Sequence, residues 1–299
     1  MDQRVRRHAD VLVEHSTGVE PGDRVAVSVT PPAEDLAVAI FERLGEIGAR
    51  PMMLYGGDTV IGSDRAARGY LRAVDEDDLP DPDHLEQLLA ETDVIIRARA
   101  HENVTERTDV EPKTNAALQT AAEGVRQEML DSRWVLTQYP TPADAQLAGM
   151  STEAYENFVW EAIDKDWEAQ RETQESVEEA LDEGETVRIV SGETTDLSMS
   201  IAGNGALNDY GKHNMPAGEV FTAPVPDSVE GTVLFDKPLY HQGREVENVF
   251  LEFEDGEVVD YAADTNEETL EEVLETDEGA RRLGELGIGM NRDIDRFTY

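Results

Sequence analysis

Two glutamates stand where a carboxylate could take part in chemistry. Glu219 follows Pro216, Ala217 and Gly218 and begins an apolar run. A glycine beside an acid lets the backbone approach closely, and a rigid strand can aim a glutamate at its mouth. Glu285 lies in an apolar context, in or just after the final predicted helix, where a charge is costly unless paired or bound to metal. Taken singly, each fits a solvated surface residue better than a ligand.

Most other catalytic chemistry has no support in the sequence. There is no cysteine, which excludes disulfide scaffolds, thiolate zinc sites and cysteine nucleophiles. The sequence has no HExxH, GxSxG, GxxxxGK[ST] or GxGxxG pattern. No two of the six histidines have the close spacing of metal ligands, and the triplet His8-Ala9-Asp10 falls in a predicted helix, where we interpret it as chance.

The charge balance narrows the choice of partners. Sixty-six Asp and Glu residues outnumber 25 Lys and Arg, and the net charge of −41 excludes a generic nucleic-acid binder. The same charge argues against docking on an anionic membrane surface. Molar salt screens such self-repulsion, because the Debye length falls to about 3 Å at 1 M. We therefore expect a protein from a salt-in halophile. The alternative is an acidic mesophile protein with a dedicated cationic partner.

No targeting or membrane segment is visible in the chain. The first residues carry no apolar signal region, and no apolar run approaches the ~20 residues of a membrane helix. We therefore expect a cytoplasmic protein.

The pattern of elements predicts an α/β fold in two domains. Strands and helices alternate through residues 1–183, which predicts an N-terminal α/β domain with a mostly parallel sheet. In this part, residues 141–150 are predicted as a loop and residues 151–182 as one long helix. Residues 184–299 contain a run of strands, a hairpin at Asp255-Gly256 and one helix over 267–286. They predict a second, mostly antiparallel α+β domain.

Longer stretches resemble a known family. GEVFTAPVPDSVEGTVLFD, then EDGEVV, then TDEGARRLGELGIGMN occur in that order, and PGDRVAVS and YPTPADAQLAGMSTEAYENFVWEAIDKDW precede them. Together they closely resemble the thermophilic-type aminopeptidases, dinuclear metallopeptidases that include aminopeptidases S and T. The resemblance covers most of the chain, and it implies that residues 184–299 form the catalytic domain, incomplete at its end.

The resemblance implies a function and a site. It implies a homodimeric metallo-aminopeptidase that removes the N-terminal residue of peptides through water activated by two divalent ions, typically zinc, cobalt or manganese. Matched by motif, Glu219 is one carboxylate metal ligand. Glu285 is a second, shared by both ions and therefore also catalytic.

One departure from the family pattern bears on activity. In the family, the segment that matches Glu285 is followed by further metal ligands, which are histidines and an acid, and by a catalytic tyrosine. This chain ends at Tyr299, before those residues. We expect a partial sequence or a truncated gene model, with little or no activity if this is the mature length. Two other functions stay open: a non-catalytic paralogue that dimerises with or regulates an intact peptidase, and a small-molecule-binding module in the α/β half.

Overall fold

The structure is a computed structural model, and the residues it describes are 1–56, 61–75, 79–241, 244–277 and 279–298. The α-helices are α1 (Gln3–Asp10), α2 (Glu34–Ile47), α3 (Asp64–Leu71), α4 (Asp83–Ala90), α5 (Pro112–Ala121), α6 (Glu123–Asp131), α7 (Pro142–Leu147), α8 (Thr152–Ile163), α9 (Trp167–Asp182) and α10 (Glu267–Leu274). The strands are β1 (Arg24–Val29), β2 (Arg50–Tyr55), β3 (Val94–Arg99), β4 (Arg133–Gln138), β5 (Thr186–Ser191), β6 (Thr195–Ser200), β7 (Leu207–Asp209), β8 (Asn214–Met215), β9 (Glu219–Thr222), β10 (Glu230–Phe235), β11 (Leu239–His241), β12 (Arg244–Val246), β13 (Val249–Glu254), β14 (Glu257–Ala262) and β15 (Leu286–Gly289). None of the helices in the described ranges combines the length and apolar character needed to cross a bilayer.

The chain forms two compact units. The first comprises Met1–Trp167, Gly211–Ala217 and Arg292–Tyr299, and the second comprises Glu168–Tyr210 and Gly218–Asn291. The sequence places the change of architecture at residue 184, where the strands of the second unit begin. In the structure, nearly all of α9 already belongs to the second unit. Tyr299, the last residue of the predicted second domain, lies outside the described residues.

The first unit contains a parallel five-stranded sheet. Its strand order is β2-β1-β3-β4-β8, and every neighbouring pair runs parallel. All residues of β1 after Arg24 are buried. Such burial is typical of parallel strands that are covered on both faces. The predicted α/β fold with a mostly parallel N-terminal sheet is therefore confirmed.

The second unit is built from antiparallel sheets, as predicted. Five strands follow the order β14-β13-β10-β6-β5, and a separate three-stranded sheet has the order β15-β9-β7. The predicted hairpin at Asp255-Gly256 joins β13 to β14, and both turn residues have positive φ, 50° and 80°. Two consecutive positive φ values define the tight turn that suits the twist of a hairpin. The core of this unit includes Leu197, Met199 and Phe253.

The prediction of one helix over residues 151–182 is wrong in one respect, because this segment forms two helices, α8 and α9. The break lies at residues 164–166. The Trp167 indole N–H donates to the Ile163 carbonyl at 3.0 Å, as does the Lys165 backbone N–H. The indole therefore takes the acceptor that a continuous helix would offer to the backbone N–H of Trp167.

Residues 141–150, predicted as a loop, contain the short helix α7. Thr141 is its N-cap and accepts from the Asp144 backbone N–H at 3.1 Å, while the Thr141 hydroxyl donates to the Asp144 carboxylate at 2.7 Å. Pro142 occupies the first helical position, where its missing N–H costs nothing. Thr-Pro-Ala-Asp is therefore a helix start.

The final helix is also shorter than predicted. It ends at Leu274, and Glu285 lies outside it, immediately before strand β15. Four glycines between residues 279 and 289 oppose a helix, each by about 1 kcal/mol. Arg282 holds this segment in an extended path through ion pairs with Asp227 at 2.7 Å and Glu257 at 2.6 Å.

Candidate active site

Glu219 lies on β9, the central strand of the three-stranded sheet. Burial alternates along this strand: Val220 and Thr222 are buried, and Glu219 and Phe221 are half-buried on the opposite face. The alternation follows from the pleat, which sends successive side chains to opposite sides of the sheet. Glu219 therefore stands on the more open face, as its position at the start of an apolar strand predicts.

Glu285, the residue immediately before β15, lies close to Glu219. A Cβ added to Gly287 would lie 3.3 Å from Glu219 Oε2, 3.6 Å from Glu285 Oε1 and 3.9 Å from Phe221 Cβ. The two carboxylates therefore flank one small volume above Gly287, which is open because this glycine has no side chain. Glu285 itself is exposed rather than enclosed in apolar surroundings, which corrects that part of the expectation.

A third acid, Asp209, stands beside Glu219 across the sheet. It lies opposite Glu219 in the register of β7 with β9, and only 5% of it is exposed. Partial burial raises the pKa of Glu219, and the negative charges of Glu285 and Asp209 raise it further. Like charges gathered in this way favour a bound cation, because a cation relieves their repulsion.

The glycine before Glu219 is required by the backbone. Gly218 has a φ of 106°, a conformation that side chains other than glycine rarely adopt, and a Cβ there would lie 2.8 Å from Asn291 Cβ. Its carbonyl accepts from the backbone N–H groups of Met290 and Asn291 at 2.7 and 3.0 Å. The close backbone approach expected beside the acid is therefore present, and it ties β9 to the end of β15.

Two residues that support the site were missed in the sequence. Asp209 belongs to the short segment Leu207–Asp209, whose polar neighbours give it no distinguishing pattern. Gln174 lies on α9 and donates to the Glu219 carbonyl at 3.0 Å. Asp209 could have been found only by predicting the register of β7 with β9. No local sequence signal identifies Gln174.

Other candidate ligands do not join the two glutamates. Within the described ranges, no group of three or more His, Asp or Glu side chains is placed to hold a metal ion. His213 packs on Trp134 in the first unit, with 4.9 Å between the ring centroids. His241 lies on β11, and burial lowers its pKa. The oxygens that converge are thus those of Glu219 and Glu285.

Comparison with known proteins identifies the family. The family model for the thermophilic metalloproteases (M29) matches residues 1–299. The chain belongs to the M29 thermophilic metalloproteases. The resemblance to the thermophilic-type aminopeptidases is thereby confirmed, and the chain is a hydrolase by family.

Individual relatives agree with the M29 assignment. Aminopeptidase 2 of Geobacillus stearothermophilus is 28% identical over 96% of this chain and 76% of its own length. The solved structure of wild-type AmpT from Thermus thermophilus has a TM-score of 0.80 and 25% identity, covering 96% of this chain and 78% of that one. A 2,5-dihydroxypyridine dioxygenase from Pseudomonas putida KT2440 shares the fold, with a TM-score of 0.56 and 15% identity, over 97% of this chain and 77% of its own.

The residues present fit the divalent metal that an M29 metalloprotease implies. Carboxylate oxygens are suitable donors for divalent ions, and a carboxylate can bridge two ions about 3.5–4 Å apart in a two-metal hydrolase. The pair over Gly287 supplies such oxygens in an accumulation of negative charge. The metal-ligand roles of Glu219 and Glu285 stay a prediction.

Filling the volume above Gly287 should weaken metal binding. We expect Gly287→Ala to raise the dissociation constant for Mn²⁺ about 10-fold, since about 1.4 kcal/mol of lost interaction is a factor of ten. The reason is that the added methyl would lie within 3.6 Å of both carboxylates. Isothermal titration calorimetry measures the effect.

Gly289→Ala is the matched control, because a Cβ there meets nothing within 4 Å and neither glycine has a positive φ. Equal affinities for the two alanine variants would contradict the assignment of that volume to the ion.

Proposed function

We propose that this chain is a metal-dependent aminopeptidase that hydrolyses the N-terminal residue of peptides. Glu219 and Glu285 are ligands of its divalent ions. The observation that supports this most directly is the convergence of the two carboxylates over Gly287, from segments far apart in the sequence. Family membership supplies the reaction class, and the aminopeptidase names of the relatives supply the substrate.

The acidic side chains of the site have different proposed roles because they occupy different positions. Glu219, half-buried at the start of β9, would be one carboxylate ligand of a divalent ion. Glu285, exposed and next to the same volume, would be the second ligand and would supply a carboxylate that can accept a proton from water. Divalent ions bound there supply Lewis acidity toward a carbonyl oxygen and toward water. The negative charge that Asp209 adds also attracts the α-ammonium group of a peptide.

The family resemblance supports two ions per site, drawn from zinc, cobalt and manganese, and a homodimer. The charge of −41 supports a cytoplasmic protein of a salt-in halophile. Self-repulsion of that size destabilises a compact state in dilute buffer and is screened in molar salt. The assay for the proposed reaction must therefore be run at high ionic strength.

Hydrolysis of aminoacyl chromogenic substrates in molar KCl tests the proposal. We expect activity that a chelator removes and that added Co²⁺, Zn²⁺ or Mn²⁺ restores. We also expect the same protein to lose activity and cooperative folding in dilute buffer, because unscreened repulsion then acts on the acidic surface. Inactivity with each of the three metals, both in this chain and in a folded version extended through the family's further histidine and acid ligands, would contradict the aminopeptidase proposal.

A second candidate function is a non-catalytic partner of an intact peptidase. The observation that favours it is that, in the part of the chain that the structure describes, no third His, Asp or Glu joins Glu219 and Glu285 as a ligand. Two carboxylates alone form a weak site for zinc, which prefers nitrogen and sulfur donors. Native mass measurement with an intact M29 peptidase would then show mixed dimers, and activity of this chain alone would reject this candidate.

A further inference from the structure

A fully buried amide lies behind the candidate site. Gln174 on α9 is 0% exposed, which is unusual for a polar side chain. Its Nε2, which carries two N–H groups, lies 2.6 Å from the Asn208 side-chain oxygen, 3.0 Å from the Glu219 carbonyl and 3.3 Å from the Asp209 carbonyl, so two of these acceptors share one N–H. A single side chain thus contacts the backbone of both acids where β7 and β9 pair.

A second glutamine extends these contacts to the third strand. Gln170, one helical turn before Gln174, donates to the Gln174 side-chain oxygen at 2.6 Å and to the Met290 carbonyl at 3.3 Å. Met290 directly follows β15, whose first residue follows Glu285. The two glutamines therefore connect α9 to all three strands of the small sheet.

The small sheet needs such support. Its strands are short, with three residues in β7 and four each in β9 and β15. Two carboxylates and the Asp209 charge repel one another on it, and that repulsion opposes the arrangement in which the acids converge. Pre-organised ligands must be held by neighbours whose own positions are fixed, and a buried, fully bonded amide on a helix is such a neighbour.

We propose that Gln174, supported by Gln170, is a positioning residue that holds the Glu219 backbone in place for cation binding by Glu219 and Glu285. This inference rests on the proposed function. The proposal predicts that replacing Gln174 lowers the affinity for a divalent ion by more than its effect on the free energy of unfolding accounts for. A purely structural role would move the free energy of unfolding and leave the affinity unchanged.

The test compares Gln174→Met with wild type by calorimetric titration of Mn²⁺ in molar KCl. Binding at the candidate site is defined as the part of the isotherm that is lost in Glu285→Gln. This definition separates it from weak Mn²⁺ binding elsewhere on the acidic surface. We expect Gln174→Met to bind Mn²⁺ about 10-fold more weakly, the lower end of the loss that follows removal of groups supporting a metal ligand. We also expect faster amide hydrogen exchange at Asp209 and Glu219.

Thr195→Val is the control, since the Thr195 hydroxyl is also buried and accepts from the Leu234 N–H at 3.0 Å in the other sheet of the same unit. We expect it to lower the free energy of unfolding while the Mn²⁺ affinity stays at the wild-type value. Gln170→Met, at a half-buried position, is the second variant if Gln174→Met does not fold, with an expected several-fold loss of affinity.

The outcomes separate the two proposals. Wild-type affinity in the glutamine variants, or a loss equal to that of Thr195→Val, would overturn the positioning role while leaving the metal site intact. Absence of Mn²⁺ binding in the wild type would instead overturn the proposed function, and the positioning role with it.

Discussion

In a version of the chain extended through the family's further ligands, replacing Glu285 with glutamine should abolish hydrolysis and weaken divalent-metal binding by more than about 100-fold, since even groups that only support a ligand cost roughly 10- to 100-fold. The neutral amide keeps the size of the side chain but removes the charge that we propose binds and bridges the ions. Glu285 is exposed, so the substitution creates no cavity, and folding should be unaffected. Calorimetric titration and the hydrolysis assay, both in molar salt, measure the two effects.

Two further variants make that result specific. Glu219→Ala should mainly lower the occupancy of one ion, which changes the stoichiometry more than the affinity of the remaining site. Glu254→Gln is the matched control for Glu285→Gln, because Glu254 is also an exposed glutamate but lies on β13 of the five-stranded sheet. Near-normal rates and affinity in Glu285→Gln, or equal losses in Glu254→Gln, would contradict the bridging role.

Acid should destabilise the first unit through one histidine. His8 on α1 is 1% exposed, and burial lowers its pKa from 6.5 to about 3. The Thr137 hydroxyl donates to the Met215 carbonyl, so it accepts from His8 Nε2–H at 2.7 Å, and Nδ1 has no hydrogen-bond partner among the described residues. A proton on Nδ1 would be a buried charge without compensation.

The direction of the change in folding stability follows from the difference in proton binding between the folded and unfolded chains. The unfolded chain protonates His8 below its ordinary pKa, whereas the folded chain does so only near pH 3, so the folded state loses stability as pH falls through this window. The loss is about 3 kcal/mol at pH 4. His8→Leu should remove this dependence. Urea unfolding of the two proteins from pH 8 to pH 4 measures it as a difference, which cancels the titration of the acidic surface.

The control for this result is His84→Leu, because the His84 side chain is 88% exposed and meets the same solvent in both states. Its pH dependence should equal that of wild type. Identical pH dependence in His8→Leu and wild type would show that His8 is charged in the folded protein, contrary to its burial.

Local sequence patterns correctly predicted those parts of the fold that depend on interactions between residues close together in the sequence. The Asp255-Gly256 hairpin and the parallel first sheet followed from turn residues and from strand–helix alternation. Apolar spacing alone predicted the long helices, and it was wrong where a single contact changed the backbone path. The Trp167 indole interrupts the helix over 151–182, and glycines from residue 279 onward oppose the helix predicted to reach residue 286. Thr141 and Asp144 formed a readable capping pair that the loop interpretation overlooked.

The two glutamates were found because each lies within a long family motif. Their convergence was not visible, since it depends on the register of β15 with β9, which sets Gly287 opposite Phe221. Asp209 and Gln174 depend on contacts between segments remote in sequence, to which no periodicity points. The sequence therefore predicted which acids carry chemistry, and the tertiary structure shows which contacts surround them.

The open surface above Gly287 has a consequence for which ion the protein carries. Glu285, Gly287 and Gly289 are all exposed, so an ion held there faces bulk water on one side. Oxygen donors discriminate poorly among divalent ions, and selectivity then follows geometry and supply. Exchange with the medium should therefore be rapid, and the resident metal should follow its abundance in the cell rather than a preference of the protein.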